Sequence, residues 1–338
     1  MSKTTTVVVG TGGVARWHLR SMIAMKRTTS LVGLVDPKEA PRDATRALFA
    51  EKGVRCPPYY ESVGDLVKAQ GPADTALICS PHKYHFENAR DCLKNGMDVL
   101  LEKPMVMNAP EARRLIRLRD KTGRLLVVAF PGSLSPAIHK AKALIGAGAI
   151  GRVTAISAFV HQHWKPQTIG SWRQDPAISG GGFLFDTGSH MVNTVIDLLG
   201  EDIVRVAALL DNSGTPVEIN SAVSGMSRSG VTVSLAGAGD SVQCRSQVFV
   251  FGDRGILNTG IWGECLLIRK LKDAEFSPVP YRKSHGPWEE FLKVRAGKIE
   301  NPCPPEIGLR LAKFMDMIRE SAETGKTITS RANGGPRR

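Results

Sequence analysis

The sequence predicts an α/β fold: a doubly wound parallel sheet, followed by a second, sheet-rich α+β domain. Three observations lead there. Up to Phe130, short apolar runs alternate with helical stretches and the connections between them are short, the pattern of a parallel sheet with helices on its faces. After Phe130 the pattern changes, and much of Ile203 to Leu257 consists of strand-like segments separated by Gly, Asn and Asp turns. Finally, 338 residues are enough for two domains with a core each. The expected division is 1–130, 131–330 and a tail at 331–338, RANGGPRR, which lacks apolar side chains able to pack and is expected to be disordered.

The strands expected in the first domain are Thr6–Val9, Leu31–Val35, Thr75–Cys79, Asp98–Leu101 and Leu125–Phe130. Between them, helical spacing covers the stretch through Leu19, Met22 and Ile23, then Ala40–Lys52, Glu61–Ala69, Phe86–Asn95 (closed by Gly96) and Ala109–Thr122. In the second domain Pro136–Gly146 reads as a helix and Val153–His163 as an alternating strand. Further strands follow at Val204–Leu210, Glu218–Met226, Val231–Ala236, Gln243–Phe251 and Ile256–Asn258, with closing helices at Glu289–Val294 and Glu306–Thr324.

Composition narrows the function. Hydrophobic content of 42% and charged content of 23% suit a soluble globular chain. No apolar run is long enough to span a bilayer. The start, MSKTTTVVVG, lacks the apolar core and cleavage site of a secretory signal, so a cytoplasmic location and no membrane partner are expected. The six cysteines contain no C-x-x-C pair, which argues against a disulfide framework and a structural zinc site; no metal is expected. The net charge of +13 admits anionic partners. Yet the basic residues lie along helices, as in Arg113, Arg114, Arg117, Arg119 and Lys121, and read as a solvated face. No helix-turn-helix, zinc-finger or RNA-binding signature accompanies them, so no nucleic-acid partner is expected.

The chemistry begins at Gly10-Thr11-Gly12-Gly13-Val14-Ala15, a G-x-G-x-x-A run between a strand and a helix. Gly10 permits the tight turn, Gly12 lets the backbone approach a pyrophosphate, and Ala15 allows helix and strand to pack closely. The helix start offers free N–H groups to the phosphates. About 20 residues on, the second strand ends in Asp36, placed to accept hydrogen bonds from both adenosine ribose hydroxyls, as in a Rossmann dinucleotide site. A carboxylate there repels a 2′-phosphate and favours NAD, although Lys38, Arg42 and Arg46 can offset the repulsion, so NADP remains possible. Ser80, in the loop Ser80–His85, and Lys103, after the fourth strand, fall at the same carboxyl edge, where ligands bind in such sheets. Taken alone, Lys103 fits an exposed surface lysine; beside a nicotinamide it can steady a developing alkoxide. Pro104 is expected to hold its backbone extended.

The stretch Ser179–Gly200, SGGGFLFDTGSHMVNTVIDLLG, holds the second constellation. Asp186 and His190 stand four apart, one helical turn, so both side chains are expected on one face. The acid can orient the imidazole and raise its basicity; the plainer alternative is a helix start with Asp186 favouring the dipole. Gly180, Gly181 and Gly182 allow a close backbone approach. Upstream, His161 and His163 share a strand face, with Trp164 and Trp172 nearby in sequence. Rings and imidazoles together suit a polyhydroxylated ligand, and Arg173 could grip a phosphate or carboxylate. Each also fits an ordinary exposed strand or loop position.

In this order the motifs resemble the Gfo/Idh/MocA oxidoreductases, the family of glucose–fructose oxidoreductase and inositol dehydrogenase. The likeness covers nearly the whole chain: the Gly10–Ala15 run with His18, Ser80-Pro81 through His85, Glu102-Lys103-Pro104 (the most specific), Trp172-Arg173, and Gly180–Gly182 leading to Asp186 and His190. The resemblance implies a Rossmann domain and a second domain with a large open mixed sheet that commonly forms oligomer contacts, hence a homodimer or homotetramer. It implies cofactor contacts from Gly10–Ala15, Asp36, Ser80, His82, His85, Glu102 and Lys103. Substrate contacts are expected from Lys103, His161, His163, Trp172, Arg173, Asp186 and His190, with Lys103, Asp186 and His190 meeting at the cleft between domains. One position departs: Ser133 stands where arginine is usual, in Phe130-Pro131-Gly132-Ser133-Leu134.

The expected activity is an NAD(P)-dependent dehydrogenase acting on a secondary alcohol of a sugar, sugar derivative or cyclitol. His190 takes the hydroxyl proton, Lys103 steadies the alkoxide, and Asp186 orients the substrate or His190. Two alternatives stay open: a redox-neutral glycosidase or lyase that returns the hydride to its substrate, and a non-catalytic dinucleotide sensor.

Overall fold

The computed structural model describes residues 3–282, 284 and 286–330; the 331–338 tail lies outside the described residues. The chain divides into two compact units, residues 1–130 with 284–309 and residues 131–283 with 310–338. The pattern change after Phe130 marks the first boundary. Residues 284–309, which the sequence alone assigned to the 131–330 domain, group with the first unit. Trp288, only 1% exposed, donates its Nε1–H to Thr29 Oγ1 at 2.9 Å, and the Cys303 carbonyl accepts from Val128 N at 2.9 Å. These contacts join segments far apart in sequence, which local patterning does not report.

In the first unit the strands are β1 (Thr4–Val9), β2 (Thr29–Val35), β3 (Tyr59–Tyr60), β4 (Thr75–Ile78), β5 (Asp98–Glu102) and β6 (Leu126–Ala129). They form a six-stranded sheet in the order β3-β2-β1-β4-β5-β6, all parallel. Helices α1 (Gly13–Ala24), α2 (Glu39–Glu51), α3 (Val63–Gln70), α4 (His85–Lys94) and α5 (Ala109–Thr122) connect them. β4 and β6 are buried along their whole length, as strands covered on both faces must be, which is why they read as continuous apolar runs. The strand order reverses between β1 and β4, so the loops after those strands open a crevice at the carboxyl edge. The two-residue β3 is too short to leave a period in the sequence.

The second unit opens with α6 (Pro136–Gly146), β7 (Val153–His163), α7 (Trp164–Thr168), α8 (Pro176–Ser179) and α9 (Gly188–Leu199). Strands β8 (Ile203–Asp211), β9 (Asn220–Ser227), β10 (Thr232–Ala238), β11 (Asp240–Gly252), β12 (Gly255–Thr259), β13 (Leu266–Lys270) and β14 (Ser277–Pro278) follow. Then come α10 (Pro287–Arg295), which belongs to the first unit, α11 (Pro305–Thr324), which begins in the first unit and ends in the second, and β15 (Ile328–Thr329). The nine-stranded sheet runs β14-β13-β12-β11-β7-β10-β9-β8-β15. It is mixed, because β7 is parallel to β10 and antiparallel to β11. One face carries the core: Ile156, Ala158, Val160, Val223, Val233, Leu235, Val248 and Val250 are buried, as are Met191, Val192, Val195 and Ile196 of α9. The intervening strand residues are largely open, with Leu209 and Val242 at 75% and 77% exposure. Such one-sided alternation is what a half-covered sheet produces.

Candidate active site

The first unit supplies the candidate nucleotide edge. Gly10 takes φ +83°, and a Cβ there would stand 2.5 Å from Ser80 N, so the turn after β1 can pass β4 only as glycine. A Cβ at Gly12 or Gly13 would meet nothing within 4 Å, and no side chain caps the start of α1 at Gly12. An uncapped helix start under open space fits a pyrophosphate. Thr11 and Ala15 are fully buried; Val14 is exposed. Asp36 stands at the end of β2, 7% exposed. Its Oδ2 accepts from Thr11 N at 2.8 Å and Thr11 Oγ1 at 3.0 Å, and its Oδ1 from Lys38 N at 3.0 Å. The acid therefore ties the glycine loop to β2 as well as offering lone pairs to a ribose. Arg42 donates to the Asp36 carbonyl at 2.6 Å and pairs with Glu39; Arg46 pairs with Glu39 and Asp43.

Next along the edge, the Lys103–Pro104 peptide is cis; the tertiary amide before proline weakens the trans preference. Glu102 is 9% exposed. Its Oε1 lies 2.7 Å from His18 Nε2, and its Oε2 accepts from Lys103 N at 3.1 Å. Its carboxylate thus faces His18 and the lysine backbone. His85, 1% exposed, stands between two carbonyls, Nδ1 2.8 Å from Pro104 O and Nε2 2.7 Å from Ser80 O, and links the ends of β4 and β5. Burial pushes its imidazole pKa down. Ser80 Oγ accepts from Asn88 at 3.0 Å. His82 is buried in a single 3₁₀ turn, its ring 5.7 Å from that of His85.

The second unit holds the other constellation. Asp186 does not lie on the helix with His190: α9 begins at Gly188, and Asp186 sits in the turn before it, its N–H bonded to Gly182 O at 2.9 Å. The expectation that one helix carries both side chains is corrected accordingly: Asp186 lies two residues before α9 begins. Asp186 is 6% exposed, and its Oδ2 accepts from Trp164 Nε1 at 2.9 Å and Arg173 Nε at 3.0 Å. The Arg173 guanidinium also lies over the Trp172 ring at 4.6 Å. Asp186, Trp172 and Arg173 are therefore brought together, with Trp164 added. His190, in the first turn of α9, packs its ring 5.6 Å from that of Trp262.

His161 and His163 are not brought to this group. The buried residues of β7 are Ile156, Ala158 and Val160, and the period-2 alternation puts Phe159, His161 and His163 on the opposite face, where the His161 and Phe159 rings stack at 6.4 Å. Gln162, on the core side, instead accepts from Thr187 Oγ1 at 2.9 Å. Sequence reading missed it, although continuing the Ile156-Ala158-Val160 period by one step finds it. Ser133 is fully buried. Its hydroxyl accepts from Asn193 Nδ2 at 2.7 Å, so the usual arginine's position is taken up by a neutral contact to α9, one turn beyond His190.

Among the described residues, no group of three or more His, Cys, Asp or Glu side chains could hold a metal ion, and no helix is long and apolar enough to cross a membrane.

Comparison with known proteins bears on the whole arrangement. The sequence model of an oxidoreductase family with an NAD-binding Rossmann fold matches residues 4–130, and that of the GFO/IDH/MocA C-terminal domain matches residues 138–258. The chain is similar to oxidoreductase P35 of Formosa agariphila, 23% identical over 252 residues, 72% of this chain and 78% of that one. It is similar also to the rhizopine catabolism protein MocA of Rhizobium meliloti, 27% identical over 195 residues, 58% of this chain and 57% of that protein's length. In fold it is similar to a levoglucosan dehydrogenase solved with NADH and levoglucosan, with TM-score 0.83, 18% identity and coverage of 98% and 100% of the two chains. With both domain models matched in order, the chain belongs to the GFO/IDH/MocA family of NAD-binding oxidoreductases.

Proposed function

We propose that this protein is an NAD(P)-dependent dehydrogenase that oxidises a secondary alcohol of a sugar, sugar derivative or cyclitol, or reduces the corresponding ketone. The observation that carries the reading is the Asp186 group. A buried carboxylate receives an indole and a guanidinium N–H immediately before the helix turn that presents His190, on a chain whose other unit carries the Gly10–Asp36 edge. The substrate of the levoglucosan dehydrogenase is a sugar derivative, which supports the substrate class.

In this reading the open backbone at Gly12 and Gly13 takes the pyrophosphate, and Asp36 takes the adenosine ribose. Ser80, His82, His85 and Glu102 shape the rest of the edge, with His85 and Glu102 acting through the loops they hold. When bound, the nicotinamide supplies hydride acceptance and return. His190 removes the hydroxyl proton, and Lys103 steadies the charge left on oxygen. Asp186 keeps Arg173 and Trp164 in place and orients the substrate or His190. NAD is preferred because Asp36 opposes a 2′-phosphate, while Arg42 and Arg46 are already paired with Glu39 and Asp43. Assembly as a homodimer or homotetramer through the open sheet face is proposed on the exposure of Leu209 and Val242.

The test is to mix the protein with NAD, and separately with NADP, against aldoses, glycosides, anhydrosugars, sugar acids and inositols, following the absorbance of reduced nicotinamide. One substrate group should respond, and His190→Ala should lower kcat by about 10²- to 10⁴-fold with NAD affinity unchanged. Bound NAD with no net reduction across the panel would favour redox-neutral chemistry instead.

A further inference from the structure

Glu218, which the reading above does not use, takes up much of the backbone of the loop that carries Asp186. Its Oε2 accepts from Gly182 N at 2.6 Å and its Oε1 from Phe185 N at 3.2 Å. Its own backbone carbonyl accepts from Phe183 N at 2.8 Å. Three amides of one four-residue stretch thus converge on a single residue just before β9. The approach is close enough that a Cβ at Gly182 would stand 1.9 Å from the Glu218 carbonyl oxygen. From α11, Arg319 closes the other side, donating to Gly180 O at 2.8 Å and lying over the Phe185 ring at 4.6 Å.

We propose that Glu218 is the positioning residue of the Asp186 loop. The proposal rests on the reading of Asp186 and His190 as the reaction site. The Glu218 carboxyl accepts at both oxygens, whereas an amide in its place accepts at one and presents a donor to the other N–H. With that change the turn that ends at Asp186 loses one of its anchors, and with it the fixed arrangement of Trp164 and Arg173.

Burial raises the pKa of Glu218 above the usual glutamate value, against the Gly182 and Phe185 amides and the Arg319 charge, which favour the ionised form. Arg319 is itself paired with Asp316 at 3.2 Å. Because the folded-state pKa is raised, the stability this group contributes is fullest below the ordinary glutamate pKa and declines as pH rises to the raised value.

The test compares the wild type with Glu218→Gln and Glu218→Asp in neutral buffer. It reads kcat and KM on the active sugar, together with the ¹⁵N–H resonance of the Trp164 indole, identified by its loss in Trp164→Phe. Gln keeps one acceptor and presents a donor in place of the other. Glu218→Gln should lower kcat by about 10- to 100-fold and leave NAD affinity unchanged. Its indole resonance should move away from the wild-type position, and Glu218→Asp should recover part of kcat. A wild-type kcat and indole resonance in Glu218→Gln would overturn the proposal. So would collapse of the whole spectrum in both variants, which marks a merely structural role. The indole resonance tests the loop coupling by itself, whereas undiminished turnover in His190→Ala overturns the underlying site assignment.

Discussion

The two glycine-rich segments of this chain do opposite things with the same residue type. Around Gly12 and Gly13 the missing side chains leave space: a Cβ there would meet nothing within 4 Å. Around Gly181 and Gly182 they allow contact: a Cβ would come within 2.7 Å of Phe185 Cβ and 1.9 Å of the Glu218 carbonyl oxygen. The first segment is held open toward a ligand, and the second is closed onto its own domain. In the proposed site, glycine in one serves binding, and in the other it serves packing of the loop that presents Asp186.

That contrast is broken most sharply by alanine. Gly182→Ala should destabilise the protein by about 3 kcal/mol or more, because the clash is with backbone and no side chain can move aside. Urea denaturation gives the number, and a loss below about 1 kcal/mol would mean that the loop does not depend on the close approach. Gly12→Ala, at φ −67°, should leave stability unchanged and weaken NAD binding by about tenfold or more, roughly 1.4 kcal/mol. Calorimetric titration with NAD measures it, and unchanged affinity would remove the pyrophosphate from this position.

Legibility follows the same division. The nucleotide edge was readable because its parts are short-range: a strand, a glycine turn, a helix start, and an acid at the next strand end. Five of the six strands of the parallel sheet followed from alternation, β3 being too short to show, and α5 and α6 begin and end where their spacing predicts. The Asp186 loop was only half readable. Its glycines, acid and histidine are visible in sequence, but Trp164, Glu218 and Arg319, which hold it, come from β7's end, the approach to β9, and α11. The assignment of 284–309 failed for the same reason, since Trp288 finds Thr29 only in three dimensions.

Asp36 sharpens the comparison from the other side, because it holds the glycine loop and is the proposed ribose acceptor. Asp36→Ala removes the acceptor shared by the Thr11 amide and hydroxyl, a buried charge-assisted contact worth about 1.5–3 kcal/mol. Both thermal stability and NAD affinity should fall. A loss of affinity without a loss of stability would show that the glycine loop keeps its shape by itself, and that the acid acts on the ribose alone.

The smallest effect concerns β7, where neighbouring residues face opposite ways. Gln162 follows Ile156, Ala158 and Val160 on the core face and accepts from Thr187, the residue directly after Asp186. His161 lies on the other face, against Phe159. Gln162→Ala deletes a single neutral hydrogen bond beside the loop, worth about 0.5–1.5 kcal/mol. It should lower kcat/KM on the active sugar by about 2- to 10-fold, while His161→Ala should leave it within about twofold. The reverse ranking would place the substrate on the open face of the sheet and return the two histidines to the site. Equal, negligible effects would confine the substrate's contacts to α9 and the turn before it, with β7 serving only as the wall on which they rest.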